Sequence, residues 1–292
     1  MVPPKGKIVA IGGNVNKGFA TVKDRPELLL QAYFDQGILK RIHDELRGIG
    51  TRIEVVTTAT NYPEQEGKAY TDAFLLLGCD NVGILPIQTR EDAGRPDYLE
   101  RLRKADAIMF TGGNQQHIAE VFYNTEALHI LQTRYQQEAK FLISGTSAGA
   151  MALSGTMIKG CIETDPLIKG TVELGNGLDL LTNIIIDTHF VNRRRIPRMI
   201  EAIAANPSHI GIGLGEDTGI LITHNNCIET IGSGLVIIID GRNLAENNYN
   251  HITEGEPLCV ENLLMHVLPQ GRAYYVATGE FVTSGASKTA SV

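Results

Sequence analysis

Cysteine is scarce: the four residues Cys79, Cys161, Cys227 and Cys259 lie far apart, with no C-x-x-C pair among them. That spacing speaks against a zinc site or a disulfide framework and fits reduced thiols in a cytoplasmic protein. No apolar run approaches the roughly 20 residues a membrane-crossing helix needs, and the short polar stretch from Met1 to Gly6 lacks the apolar core of a signal peptide. Positive charge is in deficit as well. Lys and Arg total 26 against 33 Asp and Glu, a net charge of −7, which disfavours a nucleic-acid partner and suits, weakly, a cationic substrate. Tryptophan is absent and aromatic residues make up 6% of the chain, yet 43% of its 292 residues are hydrophobic. That is ample for a large core, and one α/β domain or two small ones would fit.

What is present is an alternation of apolar strands and helical patterns. Strands are predicted at Lys7–Ile11, Arg52–Thr58, Val82–Ile87, Ala107–Thr111 and Phe141–Ile143. Helices are predicted at Leu28–Arg47, Glu64–Leu77, Asp97–Lys104, Ile118–Phe122 and Ala127–Glu138. Fully apolar strands between amphipathic helices mark a parallel sheet covered on both faces, hence a doubly wound α/β fold. After Leu153 the rhythm changes. A strand at Asn183–Asp187 and a helix at Ile196–Ala205 precede four close-spaced strands at Ile210–Leu214, Gly219–Thr223, Cys227–Ile231 and Leu235–Asp240, with a hairpin turn at Asn225-Asn226. These strands are expected to extend the mostly parallel sheet antiparallel at one edge. No linker or internal repeat interrupts the chain, so residues 1–282 read as one domain, and the Ser/Thr/Ala/Gly-rich tail Thr283–Val292 as disordered.

The chemistry gathers where a predicted strand runs into Gly145-Thr146-Ser147-Ala148-Gly149 and an alanine-rich helix begins at once. A G-x-S-x-G pentapeptide alone is as readily a tight turn with a serine N-cap. Between strand and helix it reads as a nucleophile elbow, in which small residues let neighbouring backbone approach and the hydroxyl stands at the sheet's carboxyl edge. A serine needs a base. Of eight histidines most sit in helices or turns; His189 differs in following the apolar strand Asn183–Ile186, in Asp187-Thr188-His189-Phe190, near the edge where the serine should lie. The base in turn needs a carboxylate to orient it, and the glycine-rich strand Ile210–Leu214 stops at Glu216-Asp217, two acids suitably placed for that role. The order Ser…His…Glu is not that of the α/β-hydrolases, where the acid precedes the histidine. Ala148 N–H and a backbone donor from Gly112-Gly113-Asn114-Gln115, namely Gly113, would complete an oxyanion hole. Gly12-Gly13-Asn14 ends the first strand but lacks the full dinucleotide fingerprint. No metal-ligand cluster is visible, and no cofactor is expected.

Together these segments resemble the cyanophycinases and, more distantly, peptidase E, the α-aspartyl dipeptidase. The resemblance runs from about Lys7 to Tyr275. It rests on Thr111-Gly112-Gly113-Asn114-Gln115, the serine pentapeptide with Ala150, Asp187-Thr188-His189-Phe190 with Asn192-Arg193-Arg194-Arg195, and Gly213-Leu214-Gly215-Glu216-Asp217-Thr218. It implies a class I glutamine amidotransferase-like fold, serine peptidase chemistry with Ser147 as nucleophile, His189 as base and Glu216 as its orienting acid, and a homodimer. The substrate implied is cyanophycin, a poly-aspartate with arginine on each β-carboxyl, cut to β-aspartyl-arginine dipeptides. Asn114, Gln115, Asp187, Thr188, Arg193 and Arg195 would then contact substrate, the arginines as a bidentate carboxylate clamp. An arginine run is otherwise a solvated turn. Two segments depart from the family pattern: Thr188 stands where cyanophycinases carry Gln, and Gly160-Cys161-Ile162-Glu163-Thr164-Asp165-Pro166 replaces a G-G-S-G-E-S-P-like loop. Both bear on the substrate and leave the serine chemistry intact. The competing readings are an α-aspartyl dipeptidase and a non-catalytic binding protein on the same fold. A glutamine amidotransferase would need cysteine at the elbow.

Overall fold

Strand β1, Lys7–Ile11, shows how the sequence builds the sheet: Ile8 and Ala10 enter one apolar cluster and Val9 and Ile11 the other, so both faces of the strand are buried. The computed structural model describes residues 2–18, 26–46, 48, 50–162, 167–224 and 226–283. After β1 come α1 (Pro26–Gln36), α2 (Ile38–Glu45), β2 (Ile53–Val56), α3 (Pro63–Leu76), β3 (Val82–Leu85), α4 (Pro96–Lys104), β4 (Ala107–Phe110), α5 (Gln115–Phe122), α6 (Glu126–Gln137), β5 (Leu142–Thr146) and α7 (Ala148–Ala152). The second half holds β6 (Thr156–Cys161), β7 (Val172–Asn176), β8 (Ile184–Asp187), α8 (Ile196–Ala205), β9 (Ile210–Leu214), β10 (Thr218–Thr223), β11 (Cys227–Gly232) and β12 (Val236–Asp240). It ends with β13 (Glu246–Asn247), β14 (Val260–Glu261), β15 (Leu264–Leu268), β16 (Arg272–Tyr275) and β17 (Glu280–Thr283).

Nine strands form the main sheet in the order β17-β16-β11-β10-β1-β5-β4-β2-β3. From β1 to β3 the pairs are parallel, and from β1 outward to β17 they are antiparallel. The expected mostly parallel core with an antiparallel extension at one edge is therefore present. Helices α1, α2 and α3 cover one face through Tyr33, Leu39, Ile42 and Phe74, and α4, α5 and α6 cover the other through Leu102, Ile118, Phe122 and Leu131. Among the described residues, no helix is long and apolar enough to cross a membrane.

Three features differ from the sequence reading. The helix predicted over Leu28–Arg47 is broken at Gly37, where a Cβ would lie 2.5 Å from the Tyr33 carbonyl oxygen, so only glycine lets α2 start so close to α1. An unpredicted antiparallel hairpin, β6–β7, follows α7. The strands at Ile210–Leu214 and Val236–Asp240 do not join the main sheet but form a second one, β15-β12-β9-β8. Asn225, residues 163–166 of the divergent loop and residues 284–292 of the predicted disordered tail lie outside the described residues.

Candidate active site

The end of β1 supplies three consecutive carbonyls, and each holds a different segment of the site. Ile11 O accepts from Ser147 N (2.8 Å), Gly12 O from His189 N (2.9 Å) and Gly13 O from Asp217 N (2.9 Å). Ser147 follows β5, His189 follows β8, and Glu216 with Asp217 follows β9. The first belongs to the main sheet and the other two to the second sheet, so the site spans both, at the carboxyl ends of their strands. Glycines make the crossing possible: a Cβ at Gly12 would fall 1.9 Å from Gly215 O. In the alternation of β9, Ile210, Ile212 and Leu214 are buried in the core. Gly213 instead receives the Phe190 ring, which a Cβ there would meet at 2.2 Å. That packing anchors the residue after His189.

Ser147 sits at φ 50°, ψ −116°, between strand and helix. The flanking glycines have steric causes. A Cβ at Gly145 would meet Gly149 C at 2.5 Å, and one at Gly149 would meet Phe110 O at 2.5 Å. The serine Oγ lies 3.0 Å from His189 Nε2, and His189 Nδ1 lies 2.7 Å from Glu216 Oε1. A carboxylate only accepts, so Nδ1 carries the proton, and Nε2 is left to accept from the serine hydroxyl. The imidazole is 7% exposed. Hydrogen bonds from His189 and then from the Asn14 amide hold the Glu216 carboxyl below the usual carboxylate range. His189 and Asp217, like Ser147, have positive φ, at 48° and 45°. With Asn14, also at φ 45°, four non-glycine residues at one site have positive φ, the strain expected where surrounding structure over-determines a functional geometry.

Strand β5 lies between β1 and β4, and both neighbours end in the same triplet, Gly12-Gly13-Asn14 and Gly112-Gly113-Asn114. On the β4 side, a Cβ on Gly112 would lie 3.4 Å from Ser147 Cβ, and Gly113, at φ 140°, leaves 1.9 Å between its own Cβ position and Ala59 O. Gly112 is thus the residue that faces Ser147, with Gly113 next to it in the chain, and Ala148 directly follows the serine. On the β1 side, Gly13 has φ 104°, and a Cβ there would lie 2.4 Å from both Cε1 and Nε2 of His189. Gly13 and Asn14 escaped sequence reasoning as contributors, and Asp217 entered it only with Glu216 as a suitable acid. The repeated G-G-N after two strands was the signal that could have found the first two.

The residues expected to contact substrate divide. Asn114 caps α5, its Oδ1 accepting from Gln116 N at 2.9 Å, and the Gln115 amide donates to Ile158 O and Lys159 O of β6. Asp187 is fully buried. It accepts from Arg195 Nη1 (3.0 Å), from Arg198 Nε (2.6 Å) and from Arg198 Nη2, while Arg195 also donates to Thr188 O at 2.8 Å. Thr188 is buried, and its hydroxyl has no partner among the described residues. Asp187 and Arg195 therefore brace the backbone leading into His189, and of the two expected clamp arginines only Arg193 is exposed. Arg193 lies close enough to Glu216 to help keep it ionised.

Comparison with known proteins gives the family of the chain. Residues 31–230 match the family model described as peptidase family S51. The chain is 33% identical over 275 residues to a cyanophycinase of Synechococcus elongatus, covering 94% of this chain and 80% of the relative. It is 32% identical over 224 residues to a cyanophycinase of Trichormus variabilis, covering 77% and 75%. Among solved structures, a peptidase from an acI-B1 actinobacterium superposes with a TM-score of 0.63 at 21% identity, over 92% of this chain and 96% of the other. A putative peptidase E protein from Listeria monocytogenes gives 0.52 at 19%, over 78% and 99%. At these identities the two solved structures speak to the fold alone.

Proposed function

Because this chain belongs to peptidase family S51 and is a serine-type peptidase, we propose that it hydrolyses cyanophycin to β-aspartyl-arginine dipeptides through an acyl-enzyme on Ser147. The observation that carries this reading is the unbroken hydrogen-bond chain from Ser147 through His189 to Glu216. Ser147 acts as the nucleophile of an elbow. Its Oγ attacks the scissile carbonyl while His189 Nε2 takes the proton, and Glu216 stabilises the imidazolium that forms. Charge developing on the carbonyl oxygen is met by the N–H groups of Gly113 and Ala148, which act as the oxyanion hole. His189 then gives its proton to the leaving amine, and water, activated by the same imidazole, releases the acyl group. Arg193 binds a carboxylate of the aspartate backbone by a charge-assisted fork. In this reading residues 1–282 work as one catalytic unit, as a homodimer in the cytoplasm.

The test is incubation of the protein with insoluble cyanophycin and identification of soluble product by mass. A β-aspartyl-arginine dipeptide released by the wild type and not by Ser147→Ala is expected. Cleavage of α-aspartyl dipeptides with cyanophycin left intact would replace this substrate with that of an α-aspartyl dipeptidase.

A further inference from the structure

We propose that Asp217, which touches neither Ser147 nor His189, is a positioning residue for the serine reaction. It acts as the latch that holds Glu216 and Gly13 in register with the imidazole. The inference rests on the Ser147–His189–Glu216 reading and adds a component to it.

Asp217 lies where the chain leaves β9 of the second sheet for β10 of the main one, directly after Glu216. Its polar groups bind two other segments. Its N–H donates to Gly13 O at 2.9 Å. Its Oδ1 accepts from Asn16 N at 2.9 Å, its Oδ2 from Ser233 Oγ at 2.9 Å, and its carbonyl from Ser233 N at 2.9 Å. One side chain thus ties the loop after β1, which presents Gly13 to the imidazole, to the turn between β11 and β12. The carboxylate is suited to this because it offers two acceptor oxygens to two donors on separate segments. The local backbone is shaped for it as well: Asp217 adopts φ 45°, and Gly232 adopts φ 85° where a Cβ would meet Asp217 O at 2.4 Å. A turn that only needed a polar surface residue would require neither.

Asp217→Ala removes both side-chain bonds and frees the 13–18 loop. Asp217→Asn keeps a bridge, since Oδ1 still accepts from Asn16 N–H and Nδ2 can donate to a Ser233 hydroxyl turned to accept, while the charge is lost. The assay is reaction with a serine-directed fluorophosphonate, which needs the activated serine but not the natural substrate. The maximal labelling rate of Asp217→Ala is expected to fall about 10- to 100-fold with the half-saturating probe concentration unchanged, the consequence of misplacement rather than lost binding. Asp217→Asn should stay within about 3-fold of wild type. Should Asp217→Ala not fold, Ser233→Ala cuts one arm of the latch and should slow labelling about 2- to 5-fold. Wild-type labelling of Asp217→Ala, or of Ser233→Ala where that variant stands in, overturns the inference, as does an equal loss in Asp217→Asn, which would make charge rather than positioning the cause. Ser147→Ala separates the two levels: labelling of that variant would bring down the triad reading itself.

Discussion

Alanine at position 13 would set a Cβ 2.4 Å from both Cε1 and Nε2 of His189, where ordinary contact begins near 3.4 Å. The imidazole would have to retreat by about 1 Å from a hydrogen bond now 3.0 Å long, and misplacement on that scale costs on the order of 100-fold in rate. The loss should appear in kcat with KM little changed, because Gly13 meets the base and not the substrate. Backbone strain at φ 104° adds a destabilisation of about 1–3 kcal/mol, which could be mistaken for the cause. Gly48 provides the control. It has the same φ of 104°, with nothing among the described residues within 4 Å of its Cβ position, so Gly48→Ala carries strain without the clash. Turnover and fluorophosphonate labelling should fall in Gly13→Ala and not in Gly48→Ala, while chemical denaturation shows similar stability losses in both. Wild-type turnover in Gly13→Ala, or equal losses in the two variants, would refute the argument.

Ser147→Ala should lose turnover by several powers of ten and change unfolding stability by less than about 1 kcal/mol in urea titration. Asp187→Asn leaves Arg195 and Arg198 around an uncharged buried partner and should destabilise by about 3–5 kcal/mol; a loss below about 1 kcal/mol would mean the cluster braces nothing. Arg193→Leu should raise KM on β-aspartyl-arginine substrates roughly 5- to 30-fold with kcat nearly unchanged, the modest size reflecting its exposure, and lysine should rescue it in part. The Glu216 carboxyl is held below its ordinary range, so the stability it adds is complete above that range and is lost only as pH falls through the lowered value. The acid limb of the pH–rate profile should therefore follow one protonation, that of the base; a limb requiring two protons near the ordinary glutamate range would contradict the assignment.

The grouping of Ser147, His189 and Glu216 was legible because each residue stands just past an apolar strand, and strands buried on both faces announce themselves as continuous apolar runs. Helix α8 and strand β9 were read to the residue for the same reason. The β6–β7 hairpin was not, since Thr156–Cys161 and Val172–Asn176 each carry a glycine, and only Met157 and Ile158 among them are fully buried, which blurs the alternation. The assignment of β9 and β12 to a second sheet depends on pairings across long sequence separations that local pattern does not encode. Gly13, and the contacts of Asp217 beyond a candidate acid, were missed on similar grounds. They arise where segments some 170 to 200 residues apart meet, at His189 and at Asn16, and the repeated G-G-N is the local sign of the first. That Arg195 folds back on a buried carboxylate was not legible, because a charge run gives no sign of which member does so.

The most direct test of the central claim is mass spectrometry of the protein after fluorophosphonate treatment. The account predicts a single adduct on the peptide containing Ser147, formed by the wild type and lost in His189→Ala. An unlabelled wild type, or an adduct on another serine that persists in the His189 variant, would contradict it.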